Sequence, residues 1–394
     1  MPLTGQRMGD LRILAVHNFY KIPGGEDSVF NNECRLLKEN GNEVTLYTRH
    51  NKELKARDLI FNAPFSKKTY RDVRDLIRER SIDIVHVHND RFMISPSVFK
   101  AASDEGVPVV QTLHNFRLLC INAMLTRGGK VCRECIKDNK VIFAPAVQNA
   151  CYRNNFLLTE LALRINKNAY RKGLYDKAFF IALTDFNKEI FSKSGLNGDR
   201  IFVKPNFTFS NGTEYAEAAE RKDFIYLGRL DPLKGIEDIL EEWKHVPEDT
   251  VLNIVGSGEE DYVKTLKNRY SMNNVRFLGA LSHEDAMDKL RTSRAMIFAS
   301  RLYEGFPMTI IESFLNGTPV IGKDFGNGGD IIKKIYGSER PLIREMTELH
   351  SRIMDFDRDL AAGLYSFGRE ALKDYTPDRN YEMLTDIYKK ILSL

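Results

Sequence analysis

The nine residues Glu304-Gly305-Phe306-Pro307-Met308-Thr309-Ile310-Ile311-Glu312 set two carboxylates eight positions apart, around a Gly-x-Pro turn and the first turns of a helix. Pro307 suits the first helical position, Gly317 the C-cap and Pro319 the start of a strand, which predicts a helix from Pro307 to Asn316. The N-terminus of that helix is presented at a loop. There the free N–H groups of Met308 and Thr309, with the helix dipole, form a cradle for a diphosphate. Glu304 stands on the loop and Glu312 two turns inside, so one end can hold a sugar hydroxyl and the other a ribose. Two surface glutamates on an ordinary βα unit are the plain alternative, and the neighbouring motifs decide between them.

At 394 residues the chain exceeds what one hydrophobic core usually spans, which predicts two domains. With 43% hydrophobic and 28% charged residues, both halves can bury a core. A net charge of +4 is too mild to argue for nucleic acid as a partner. No apolar run reaches the length of a membrane span and nothing at the start resembles a signal peptide, so the expected location is cytoplasmic. Met1 to Asp10 reads as an irregular leader, with Met8 an alternative start.

Leu11 to Val16 is a short apolar run followed by a polar, glycine-containing loop, His17 to Gly25, and then a helical pattern carrying Val29, Phe30, Cys34, Leu36 and Leu37. Further strands read at Glu43 to Thr48, Ile82 to His88, Val107 to Leu113 and Ala178 to Leu183. The second half repeats the pattern at Phe224 to Leu227, Val251 to Val255, Val275 to Leu278, Ala295 to Phe298 and Pro319 to Ile321. Strands alternating with helices imply parallel sheets covered on both faces, hence an α/β chain of two Rossmann-like, doubly wound domains. The expected division is residues 1–205 and 206–376, with a junction in the polar stretch Asn206 to Glu220 and a terminal helix, Pro377 to Leu394, crossing back onto the first domain.

Gly228-Arg229-Leu230-Asp231-Pro232-Leu233-Lys234-Gly235 follows the first strand of the second half. Ligands of doubly wound sheets collect at strand C-termini, so Arg229 and Lys234 stand where an anion would bind. A guanidinium and an ammonium aimed at one diphosphate can neutralise leaving-group charge without a metal. Gly256-Ser257-Gly258 ends the next strand in a turn that permits close backbone approach, and Leu278-Gly279-Ala280-Leu281 suits contacts to a flat base; either alone is weak.

Gly228-Arg229 with Lys234-Gly235, then Gly256-x-Gly258, then Glu304-x(7)-Glu312 in this order and spacing resemble the retaining, nucleotide-sugar-dependent glycosyltransferases of family 4, which have the GT-B fold. Gly24-Gly25-Glu26 resembles the family's glycine loop, Asp83 to His88 a strand between its motifs, Thr112-Leu113-His114-Asn115 its histidine loop, and Ala182 to Asn206 the run into its linker. The resemblance implies two domains facing a central cleft, acceptor in the first and nucleotide sugar in the second. It implies that Arg229 and Lys234 bind the donor diphosphate, Glu304 the hydroxyls of the transferred sugar and Glu312 the ribose. It further implies that the backbone of Gly305, Phe306, Pro307, Met308 and Thr309 grips sugar and phosphates, that Gly24 and Gly25 let the first domain approach the donor, and that His114 sits beside the sugar. Two departures bear on sugar specificity: Asp330 where a glutamate is usual, in the glycine-rich loop Gly326 to Ile332, and Pro307-Met308 in place of Gly-Leu.

The implied reaction is transfer of a hexose, with UDP slightly favoured over GDP as donor, to a saccharide or lipid-linked saccharide in surface polysaccharide, lipopolysaccharide or capsule biosynthesis. Retention implies front-face attack in which the departing phosphate takes the acceptor proton, so no carboxylate nucleophile of the glycosidase kind is needed. No cofactor is required for this chemistry. An unperturbed imidazole at His114 would leave open whether it donates or orients, and a buried structural histidine is the alternative. Rival readings are a nucleotide-sugar 2-epimerase of the same architecture and a non-catalytic partner subunit, which the full set Arg229, Lys234, Glu304 and Glu312 disfavours. An NAD oxidoreductase lacks its G-x-G-x-x-G after the first strand.

Two features stand apart from the donor motifs. Cys120, Cys132, Cys135 and Cys151 follow the order C-x(11)-C-x(2)-C-x(15)-C, which leaves open a structural zinc, reduced packing cysteines and a redox disulfide. Ser66 to Arg80 holds six basic and three acidic residues, and Asn154 to Lys177 mixes Phe156, Leu157, Leu158 and Leu161 with Arg164, Lys167, Arg171 and Lys172. Both stretches suit either a solvated helix face or peripheral contact with an anionic membrane at the inner face of the plasma membrane.

Overall fold

The computed structural model describes residues 11–21, 24–55, 58–209 and 221–394. The expected leader and most of the expected junction, Asn206 to Glu220, lie outside the described residues. Contacts divide the chain into two compact units. One comprises the described residues up to Leu125 with Cys132–Asn206 and Pro377–Leu394; the other comprises Thr126–Val131 and the described part of Phe207–Thr376.

The unbroken apolar run after Leu11 forms the middle of a strand buried on both faces, β1 (Arg12–Phe19). It is followed by α1 (Gly25–Glu39), β2 (Glu43–His50), α2 (Lys67–Glu79), β3 (Ile84–Asn89), α3 (Ser97–Asp104) and β4 (Val109–Leu113). Two small hairpins follow, β5 (Thr126–Arg127) with β6 (Lys130–Val131) and β7 (Ile136–Lys137) with β8 (Lys140–Val141). Then come α4 (Ala144–Gln148), α5 (Phe156–Arg171), β9 (Phe179–Ala182), α6 (Asp185–Ser192) and β10 (Ile201–Val203). The parallel sheet runs β10-β9-β4-β3-β1-β2, with Ile13 paired to both Val44 and Ile84. The winding reverses between β1 and β3, which opens a crevice at their C-terminal ends.

The second unit holds β11 (Lys222–Leu227), α7 (Ile236–Trp243), β12 (Leu252–Val255), α8 (Glu260–Arg269), β13 (Val275–Gly279) and α9 (His283–Arg291). It continues with β14 (Ser293–Phe298), α10 (Met308–Leu315), β15 (Val320–Lys323), α11 (Gly326–Tyr336), β16 (Leu342–Ile343), α12 (Leu349–Met354) and α13 (Phe356–Ala361). Its parallel sheet runs β13-β12-β11-β14-β15-β16 and reverses between β11 and β14. One apolar cluster centres on Trp243 and another on Ile310, Ile311 and Phe314, which lock α10 against the sheet.

The last helix, α14 (Pro377–Leu392), belongs to the first unit. Tyr388 Oη lies 2.6 Å from His86 Nδ1, and Asn380 meets Lys204 Nζ at 2.8 Å and donates to the Pro205 carbonyl at 2.7 Å. Unpaired, these buried groups would each cost roughly 1–3 kcal/mol, so they fix how the helix docks.

Two local expectations are corrected. Pro307 is the N-cap rather than the first helical residue, because its ψ of 89° is not helical; its carbonyl accepts from Ile310 N at 3.1 Å. Gly326 to Ile332, expected as a loop, forms the opening turns of α11. Glycine is there for space: a Cβ on Gly328 would collide with the Phe298 ring, and one on Gly329 would crowd Asp324.

Candidate active site

In the second unit, the loops leaving β11 and β14 flank the point where the winding reverses. Asp231 accepts from Leu233 N at 2.9 Å and starts a short 3-10 turn, Pro232–Lys234. Gly235 follows at φ 74°, where a side chain would strike the Ala299 carbonyl, so only glycine lets this loop lie on the end of β14. The result is that Lys234 Nζ lies 2.6 Å from Glu304 Oε1, and Ser300 Oγ donates to the same oxygen at 2.6 Å. Asn327, on the first turn of α11, donates to the Glu304 carbonyl and, at 3.4 Å, to that of Gly305. Tyr303 stacks on Phe325 with centroids 5.2 Å apart, and Phe306 packs beside Tyr375 at 6.1 Å. The loop carrying Glu304 is thereby tied to three elements.

Met308 and Thr309 begin α10, and their N–H groups take no hydrogen bond among the described residues. Partial positive charge therefore collects beside the Lys234–Glu304 pair. Arg229 stands on the same loop as Lys234, 62% exposed, with Nη2 3.4 Å from Asp231 Oδ2. Burial raises the Glu312 carboxyl against the pull of His283. Gly256 and Gly258 have a different partner from the one their spacing suggests. Side chains there would hit the carbonyls of Gly228 and Leu230, so the close approach they permit is to the Arg229 loop, with Leu230 and Gly258 forming a bridge.

In the first unit, Gly24 caps α1 and Gly25 is its first residue; a side chain on either would meet no atom of the described residues. Asp27 holds this turn together. It accepts from Gly24 N at 3.0 Å and meets His17 Nε2 at 2.7 Å. Glu26 receives the Tyr20 hydroxyl at 2.6 Å and Asn115 Nδ2 at 3.1 Å, and burial raises its carboxyl. A pocket at the ends of β3 and β4 is lined by Glu26, Asp90, Arg91, Gln111, His114 and Arg117, among others. Among the described residues both Asp90 carboxylate oxygens, Arg91 Nη2 and Gln111 Oε1 are buried here without a hydrogen bond, with Arg91 Nε 3.5 Å from Asp90 Oδ1. Such polar groups call for a polar occupant.

His114 is not the unperturbed imidazole of the sequence reading. Burial and the neighbouring His88 lower its pKa well below 6.5, so it is neutral at pH 7. His88, Glu33, Ser300 and Asn327, which motif reading passed over, stand within the networks around the candidate residues His114 and Glu304. His86 and His88 alternate on β3 and so share a face, the one signal that was available.

Cys120, Cys132 and Cys135 are free thiols. Cys135 and Cys151 pack with Ile121, Ala146 and Leu163, and burial pushes the Cys135 thiol up to about 12. Among the described residues only Glu33, His86 and His88 come within common ligating reach, so a zinc on the cysteines gains no support. That trio does not fit a metal either. Lys204 Nζ, 3.0 Å from Glu33, already supplies the cation, and Tyr388, Thr112 and His114 occupy ring nitrogens.

Two doubly wound parallel sheets, each carrying its own set of motifs at its strand ends, define a protein of the GT-B class of glycosyltransferase folds. Sequence models agree with the geometry: glycosyltransferase family 4 matches residues 23–208 and glycosyl transferases group 1 matches residues 211–337. The two models, one on each half of the chain, mark it as a glycosyltransferase of the family 4 and group 1 kind. An uncharacterised glycosyltransferase, MJ1607 of Methanocaldococcus jannaschii, is 32% identical over 134 residues, 33% of either chain. The match thus spans about a third of the length of that curated relative. HepE of Anabaena, solved with UDP, covers 98% of this chain and 100% of its own at a TM-score of 0.65 and 16% identity. The lipopolysaccharide outer core galactosyltransferase WaaB covers 96% and 99% at a TM-score of 0.60 and 16% identity. The likeness to both is one of fold. No helix among the described residues is long and apolar enough to cross a membrane.

Proposed function

We propose that the protein is a retaining glycosyltransferase that moves a hexose from a nucleotide-diphosphate sugar to a saccharide or lipid-linked saccharide acceptor. The observation that carries this reading is the meeting of Lys234 with Glu304 beside the open N-terminus of α10, at the point where the second sheet reverses. Lys234, Arg229 and the amides of Met308 and Thr309 take the charge that develops on the diphosphate as the anomeric bond breaks. Fixed groups need little reorganisation, so the leaving group is stabilised without a metal. Glu304 positions sugar hydroxyls and Glu312 the ribose, with no role as acid or base. The departing phosphate receives the acceptor proton on the same face, which retains configuration.

UDP is the favoured donor nucleotide, a preference supported by the UDP-bound neighbour of the same fold. Acceptor chemistry falls to the first unit, around His114 and the polar pocket at the ends of β3 and β4. A surface-glycan product is supported by the likeness to a lipopolysaccharide galactosyltransferase. Phe156 and Leu157, 62% and 69% exposed at the start of α5, with Arg153 beside them, support peripheral docking on an anionic cytoplasmic leaflet where a lipid-linked acceptor would lie. Flotation with anionic liposomes tests that part, and failure of the protein to float would remove it.

The chemistry is tested by following donor consumption and product anomer by NMR. Wild type is expected to give the anomer of the donor, and Lys234→Ala and Glu304→Ala to give none while remaining folded. Inverted product, or product formed without an acceptor, would overturn the reading.

A further inference from the structure

The imidazole of His114 is held from behind by groups that the transfer chemistry does not use. His114 Nε2 lies 3.0 Å from His88 Nδ1, with the two rings stacked at 5.1 Å, and His88 Nε2 lies 3.1 Å from Glu33 Oε1. Lys204 Nζ stands 3.0 Å from the other Glu33 oxygen. Glu33, His88 and Lys204 are all buried. Burial opposes charge on Glu33, but Lys204, His86 and His88 hold its carboxyl well below the usual range. A buried ion pair of this kind is a poor source of stability, which directs attention to what it positions.

The chain of donors has one direction. A carboxylate only accepts, so His88 Nε2 carries the proton that points at Glu33. Lys204 already balances Glu33, and a second proton on His88 would place an uncompensated cation in a buried cluster. Neutral His88 therefore offers the Nδ1 lone pair, and His114 must donate from Nε2. That leaves His114 Nδ1 unprotonated. The groups around His114 are His88 and His86 on β3, His17 on β1 and Glu33 on α1, with Glu26 and Arg117 in the lining of the same pocket.

We propose that Glu33 and His88 are positioning residues that fix His114 as its Nε2–H tautomer, making His114 Nδ1 a hydrogen-bond acceptor for a substrate hydroxyl. The identity of that hydroxyl rests on the glycosyl-transfer reading, whereas the tautomer stands on these contacts alone. His114 then orients a hydroxyl and does not act as a general acid.

Long-range proton–nitrogen correlation spectra of the full chain labelled at histidine read the tautomers directly. At pH 7, His88 and His114 are expected neutral, each protonated at Nε2. A His114 protonated at Nδ1, a mixture of tautomers in wild type, or a cationic His88 would overturn the proposal. In Glu33→Gln the His114 signals are expected to become a tautomer mixture and kcat to fall about tenfold or more, with donor KM within about twofold. Should that variant unfold because Lys204 is stranded, Glu33→Gln with Lys204→Met removes both charges and is expected to show the same spectral change. A fixed His114 tautomer and wild-type kcat in a folded variant would also refute it. If wild type turns over no sugar yet shows the expected ring protonation, the transfer reading fails and this one survives.

Discussion

Lys234 and Ser300, 70 and 4 residues from Glu304 along the chain, both meet one oxygen of that glutamate. Removing a fixed charge from a developing anion typically costs about 10²–10³ in rate, so Lys234→Ala is expected to reduce kcat/KM by at least that factor. The pair is partly exposed, at 25% and 12% for its two side chains, so the stability change should stay within about 1 kcal/mol. Circular dichroism melts beside the kinetics check both halves. Ser300→Ala loosens Glu304 without removing it, and an expected loss of roughly tenfold in kcat tests whether that hydroxyl aligns the carboxylate. Lys234 and Glu304 were legible in the sequence because each follows a strand whose end lies at a reversal in the winding. Ser300 and Asn327 were not, since a single polar residue in a loop or at a glycine-rich turn has no periodicity to read. The His114 charge state was also illegible, because burial by His88 and its neighbours is a property of packed strands.

Strand order and helix contacts decide what the glycines do. A side chain on Gly256 would overlap the Gly228 carbonyl at φ 143°, so Gly256→Ala is expected to destabilise the second unit by roughly 1–3 kcal/mol or more, read as a lower denaturation midpoint. Gly25 is the contrast. A side chain there meets nothing among the described residues, so Gly25→Ala should leave the melt unchanged, and any loss of activity it causes is expected to come from the substrate side. Equal melts for both variants would contradict this division. The strands were readable as apolar runs and the terminal helix as a 3.6-residue pattern. The opening of α11 was not: Gly326-Asn327-Gly328-Gly329 has the composition of a loop, and only the closeness of Phe298 and Asp324 explains why small residues were placed in a helix.

Across the molecule, buried imidazoles tie stability to pH. Burial lowers His17 to about 4 and His86 to about 3, whereas in the unfolded chain histidines titrate near 6.5. Between those limits the unfolded state binds protons that the folded state excludes, so stability falls as pH drops below about 6.5. Near pH 5 the two residues together should contribute a slope of roughly 2–3 kcal/mol per pH unit. Glu33, held low by Lys204 and the histidines, adds a further loss as pH falls below the ordinary carboxylate range and through its own. Urea unfolding of the first unit from pH 7.5 to 4.5 measures this, and a flat profile would show the histidines to be solvated. Two doubly wound sheets could be inferred from strand alternation alone, but the polar cluster under His114 could not, because its members come from β1, α1, β3, β4, the chain before the junction and α14. The account as a whole depends on a nucleotide-diphosphate sugar binding at Lys234, Glu304 and the start of α10. Thermal-shift titration of wild type and Lys234→Ala with UDP, GDP and their hexose conjugates tests it most directly. Wild type at a hundredfold excess over Kd should gain about 2.7 kcal/mol with UDP-hexose and the variant should gain little; equal stabilisation of both proteins, or none of wild type by any nucleotide sugar, would contradict it.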